Sequence, residues 1–119
     1  MATITLYGIP NCDTVKKARA WLDGRGVAYR FHDFRKDGVP VDRLADWMDS
    51  TDGDRLINRQ GTTWRKLAPA DQARVTTAAG ARALLVEQPS VIKRPVVDWP
   101  DGSTTVGFDP AGWALRTGP

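Results

Sequence analysis

The feature that most restricts the fold is a strand, a short loop, a helix and a second strand within the first 34 residues. "TITLYG" (3–8) alternates Ile4 and Leu6 with Thr3, Thr5 and Tyr7 and ends at Gly8, the pattern of a β-strand. From Thr14 to Arg25, Val15, Ala18, Trp21 and Leu22 recur at helical spacing, and Gly26 stands where a helix is commonly stopped by a left-handed residue. "VAYRFHDF" (27–34) returns to strand character. Strands separated by a helix pair in parallel, so the pattern predicts a βαβ unit.

The middle of the chain reads differently. "PVDRLADWMDS" (40–50), "GDRLI" (53–57), "TTWRKL" (62–67), "PADQARVTTA" (69–78) and "AGARALLVEQ" (79–88) are short helical patterns broken by Gly, Pro and Asp, which predicts an all-helical insertion over about 40–88. "RPVVDW" (94–99) and "STTVGF" (103–108) flank "PDG", a turn signal, and so form a hairpin. A last helix is expected from Asp109 or Pro110 to Arg116. The order βαβ, helices, ββα predicts an α/β, thioredoxin-like fold with helices between its halves. With 119 residues, 41% hydrophobic and 26% charged, residues 1–119 are expected to form one domain whose core needs neither metal nor disulfide.

Composition narrows the function. "MATITLYGIP" lacks a basic start followed by an apolar run, and no window approaches the roughly 18 apolar residues of a membrane span, so a cytoplasmic protein without membrane association is expected. The 17 Lys+Arg against 14 Asp+Glu are scattered among one another rather than gathered in a stripe with aromatics, which argues against direct nucleic-acid binding. In a reducing compartment the single cysteine is either a small buried hydrophobe or a reactive thiol.

Its position favours reactivity. Cys12 follows Pro10-Asn11 at the mouth of the first helix, at or next to its N-cap, with Asp13 or Thr14 available to cap the orphan N–H groups. A helix N-terminus offers free N–H groups and partial positive charge, which take a thiol from about 8.5 into a range of about 3.5 to 7.5. Lys16 and Lys17 add charge at the same end. Three residues on stands Val15, not a second cysteine, so an adduct on Cys12 has to be resolved by a thiol from outside, in the cytosol glutathione or a glutaredoxin-type protein.

Two later motifs supply neighbours, "LINRQGTTWRKL" (56–67) and "SVIKRPVVDW" (90–99). In thioredoxin-like folds the residue before this strand-leading proline lies against the cysteine with a cis peptide bond, which would bring Arg94 to Cys12. Arginine there holds a carboxylate or oxyanion bidentately and stabilises a thiolate. Arg59 is the second candidate, and the alternative for either is a solvated surface arginine. His32, mid-strand between Phe31 and Asp33, is read as structural or exposed rather than as a catalytic partner, and the five tryptophans as packing. No Cys/His cluster or phosphate-cradling loop suggests a metal or nucleotide site.

Together "YGIPNCDTVKKARAWL", "NRQGTTWRKL", "IKRPVV" and "VGFDPAGW", in that order across nearly the whole chain, closely resemble the arsenate reductase / Spx family, most nearly its YffB-like branch. The resemblance implies a thioredoxin-like fold and glutathione-dependent thiol reduction. Cys12 matches the family's nucleophile, Arg94 in "IKRP" one anion-binding arginine, and Arg59 in "NRQG" falls near another. Asn11, Lys93 and Pro95, beside these residues, complete the expected substrate-binding set. The departures are informative. Single-cysteine arsenate reductases carry a histidine where this chain has Gly8, a serine where it has Val15, and a third arginine near "VGF", where it reads Val106-Gly107-Phe108-Asp109. Three groups suited to arsenate are missing, whereas a thiolate with two arginines suits the carboxylates of glutathione. The expected function is therefore a glutathione-dependent thiol/disulfide oxidoreductase with no bound cofactor, with glutathione as co-substrate and glutathione or glutaredoxin as partner. The alternatives are an arsenate reductase and a regulator that binds RNA polymerase, as Spx proteins do, although Val15 removes their CxxC switch.

Overall fold

The βαβ unit forms in the computed structural model, which describes residues 3–50 and 53–117. Strand β1 (Ile4–Gly8), helix α1 (Asp13–Gly24) and strand β2 (Tyr29–Asp33) follow one another, and β1 and β2 pair in parallel with Leu6 opposite Phe31. Helix α1 stops where Gly26 predicts. Gly26 adopts φ +68, its N–H donates to Asp23 C=O, and the Val27 N–H donates to Leu22 C=O, the paired bonds of a Schellman motif. Strands β3 (Val96–Asp98) and β4 (Thr104–Val106) form the hairpin, closed by a Trp99-Pro100-Asp101-Gly102 turn whose Gly102 N–H donates to Trp99 C=O. Both strands are shorter than the six-residue runs expected of them.

The sheet order is β2-β1-β3-β4, with β3 antiparallel to β1. This sheet, α1 and the last helix, α6 (Pro110–Thr117), belong to one compact unit, made of residues up to Asp33 and from Arg94 onward. Its core gathers Ile4 and Leu6 of β1, Val15, Ala18 and Leu22 of α1, Val97 and Trp99 of the hairpin and Trp113 of α6. The spacing of Val15, Ala18 and Leu22 makes the α1 stripe, and Cys12 lies three residues before Val15 at its start, half-buried against the same cluster. Across the α1–β2 junction, Arg19 donates from Nε to the Tyr29 hydroxyl and lays its guanidinium over Phe31, 4.1 Å from the ring centroid.

The second unit, Phe34–Lys93, carries the inserted helices: α2 (Val41–Ser50), α3 (Thr62–Lys66), α4 (Pro69–Gln72) and α5 (Ala78–Glu87), with 3-10 turns at Gly53–Leu56, Ala73–Thr76 and Pro89–Val91. Phe34, Leu44, Trp47, Leu56, Leu84, Leu85, Val91 and Ile92 form its buried interior. Among its described residues this unit also holds an isolated antiparallel bridge between Ile57 and Ile92, flanked by the bonds Asn58 N–H to Val91 C=O and Lys93 N–H to Leu56 C=O. The expected helix over 69–78 is one α-turn, α4, continued by the 3-10 turn Ala73–Thr76, and it ends at the extended Thr77, which caps α5, its Oγ1 accepting from the Gly80 N–H. No helix among the described residues is long and apolar enough to cross a membrane.

Candidate functional site

Sheet topology explains why Arg94 reaches Cys12. Antiparallel pairing of β1 with β3 sets Tyr7 opposite Val96, so the end of β1 that leads to Cys12 lies beside the start of β3, which Arg94 and Pro95 lead into. The Arg94–Pro95 peptide bond is cis, as the fold expectation has it. Pro95 is buried, and its C=O accepts from the Gly107 N–H at 2.8 Å, tying this corner to the end of β4.

Cys12 is itself the N-cap of α1, with extended backbone (φ −89, ψ 127), and Asp13 is already the first helical residue. The expectation that Cys12 stands at or next to the N-cap holds, whereas Asp13 and Thr14 lie inside the helix and neither side chain caps it. Before it, Ile9-Pro10-Asn11-Cys12 forms a turn closed by Cys12 N–H to Ile9 C=O, and Asn11 is exposed at its tip. No side-chain bond of ordinary geometry closes the helix start, but the Val15 and Thr14 amides stand close enough to the sulfur to favour its anion.

Several effects act on the sulfur and they oppose one another. Burial, the largest, raises the thiol pKa; it is outweighed by the Val15 N–H, by the hydrogen bond and then the charge of Arg94, and by the Thr14 N–H, so the net shift is downward. The cation that matters is therefore Arg94. Lys16 and Lys17 are exposed, and the charge that the sequence assigned to them at this end of the helix is supplied instead from another element.

Of the other expected site residues, Arg59 is exposed in the helical unit with its guanidinium 5.5 Å from the Trp64 ring centroid, and Lys93 is exposed at the end of that unit. His32 is half-buried with its ring 5.0 Å from that of Tyr7, a packing contact of the sheet. Among the described residues no three His, Cys, Asp or Glu side chains gather in a metal-binding group. The contact that sequence reasoning missed joins two of the three departures from the arsenate reductase pattern, Gly8 and Val15. A Cβ at Gly8 would lie 2.7 Å from Val15 Cγ2, and Val15 is fully buried. Residues seven apart are coupled because one ends a strand and the other stands in the first turn of the helix that packs on it.

A single cysteine with a lowered pKa at a helix start, beside an arginine from a cis-proline corner of the same sheet, is the arrangement of a thioredoxin-like fold of the single-cysteine type. Residues 7–115 match the ArsC family model, and the chain belongs to the ArsC family. Among solved structures it is similar to a protein named YFFB, with 45% identity, a TM-score of 0.91 and coverage of 98% of this chain and 100% of that one. An arsenate reductase related protein from Brucella melitensis is also 45% identical, with a TM-score of 0.74 and coverage of 96% and 93%. A relative from Haemophilus influenzae is 39% identical over 89% of this chain and 91% of its own length, and the global transcriptional regulator Spx of Streptococcus agalactiae is 29% identical over 79% and 69%.

Proposed function

We propose that this protein is a cytoplasmic thiol/disulfide oxidoreductase that uses glutathione as co-substrate. The observation that carries the reading is a single thiol whose pKa is lowered with help from Arg94, in a chain with no second cysteine to resolve an adduct. In the first step the Cys12 thiolate attacks the glutathionyl sulfur of a mixed disulfide; the Cys12–glutathione S–S bond forms, the substrate's S–S bond breaks, and the substrate leaves as a thiolate that takes up a proton. A second glutathione, as thiolate, then attacks the glutathionyl sulfur on Cys12, releasing oxidised glutathione and restoring the Cys12 thiolate. Arg94 stabilises the attacking and leaving thiolate and offers a guanidinium to a glutathione carboxylate. Asn11, Arg59, Lys93 and Pro95 are the further proposed substrate contacts, on the sequence grounds given above. The test is reduction of a small glutathione mixed disulfide with glutathione supplied. Turnover that is lost in Cys12→Ser and reduced in Arg94→Ala supports the reading; wild-type turnover no faster than the protein-free reaction refutes it.

Arsenate reduction is the second reading, favoured by the similarity to the arsenate reductase related protein of Brucella melitensis and by an arginine suited to an oxyanion. The apolar Gly8–Val15 contact stands against it. Arsenate turnover with glutathione and glutaredoxin supplied, abolished by Cys12→Ala, would favour that reading over the first. Capture of RNA polymerase that survives Cys12→Ser would favour a regulatory role of the kind that the name of the Spx relatives describes.

A further inference from the structure

We propose that Gly8 and Val15 are a positioning pair for Cys12: the missing Cβ at Gly8 lets the Val15 side chain seat against the end of β1, and that contact holds the first turn of α1 in register with the sulfur. Three observations converge on it. Val15 is fully buried, so its side chain is fixed rather than free to rotate into solvent. A Cβ on residue 8 would meet Val15 Cγ2 at 2.7 Å and Cγ1 at 3.4 Å, so only glycine admits the helix this close. The backbone N–H of the same Val15 is one of the groups that act on the sulfur, so the residue clamped by β1 is also the one that addresses the thiolate.

The pair is not catalytic in the sense of touching substrate; it acts through the Val15 amide. A displaced first turn also moves the Thr14 N–H, while Arg94, which faces the sulfur from the start of β3, stays with the sheet. Asp13, Lys16 and Lys17, the charged groups on the start of α1 itself, are exposed. The departure from the arsenate reductase pattern at these two positions is thus one change rather than two: a side chain at residue 8 requires a smaller or shifted residue 15.

The inference deepens the site described above and rests on Cys12 being a reactive thiolate, but its readout needs no glutathione. The rate of Cys12 alkylation by iodoacetamide is followed against pH for wild type, Gly8→Ala, Val15→Ala and the double variant, with thermal unfolding measured alongside. In each single variant alkylation near neutral pH is expected to slow by about threefold or more, with the pH profile moving upward, because the thiolate fraction falls. Gly8→Ala with Val15→Ala is expected to recover part of the wild-type profile, since the smaller residue 15 makes room for the added Cβ. Should Gly8→Ala fail to fold, Val15→Ala alone decides, because it removes the contact without a clash. Single variants that unfold earlier but keep the wild-type profile would show a merely structural contact and overturn the proposal, as would a double variant whose losses simply add. A profile that shifts as expected in a protein that shows no glutathione turnover leaves this inference standing and removes only the functional reading.

Discussion

At the scale of single residues, the proposed function assigns the chemistry to Cys12 and Arg94, and the effect of Arg94 on the thiol sets a pH dependence of known sign. Only the thiolate attacks, and the folded site holds the thiol pKa below its ordinary value. Alkylation of Cys12 should therefore rise with pH and level off earlier than for a free cysteine. Arg94→Ala removes both the hydrogen bond and the charge that lower the pKa, while the burial that raises it remains. The rise should then move to higher pH; an unchanged profile in Arg94→Ala would mean that the arginine does not act on the sulfur. The place of Cys12 at a helix start was legible in the sequence, and so was the cis bond that leads Arg94 toward it, from the proline that follows. The packing of Gly8 on Val15 was not, because a close approach of strand and helix leaves no periodicity in the sequence.

At the scale of elements, local signals with their own hydrogen bonds were the ones that could be read. Gly26 ends α1 and Asp101-Gly102 lies in the hairpin turn because each is a short-range geometric need that few residues meet. The helical insertion was harder to divide: the boundary before α5 was legible to within a residue, but Ala-rich and Arg-rich stretches support α and 3-10 turns alike, so the change from one to the other after Gln72 was not. The Ile57–Ile92 bridge joins residues 35 positions apart and has no local signature. Thr77 is the place to test this level. Its Oγ1 accepts from the Gly80 N–H at 3.0 Å, so Thr77→Ala should cost about 1 kcal/mol in chemical denaturation, and Thr77→Ser should retain most of it. Equal losses in the two variants would show that the cap bond is not what holds the start of α5.

At the scale of the whole molecule, the thioredoxin-like plan was legible because βαβ and ββα are each compact patterns, and their pairing follows from strand order once the middle is recognised as helical. The sheet-bearing unit is held by an aromatic cluster whose mutual contacts the sequence does not show. Trp113 is buried, with ring centroids 4.9 Å from Phe108, 5.4 Å from Trp99 and 5.9 Å from Trp21. Trp113→Ala should lower unfolding stability by about 3–5 kcal/mol. Trp113→Phe should cost well under that, since it keeps a ring and removes a buried indole N–H that has no partner among the described residues. Two equally large losses in urea denaturation would show that the indole is irreplaceable there.

The central claim is that the chain's one cysteine is a thiolate that forms, and passes on, a bond to glutathione. Intact-mass measurement after incubation with oxidised glutathione tests it directly. The account predicts a single glutathione adduct, located on Cys12 by peptide mapping, absent in Cys12→Ser and removed by added reduced glutathione. A wild-type chain that stays unmodified at neutral pH would contradict it.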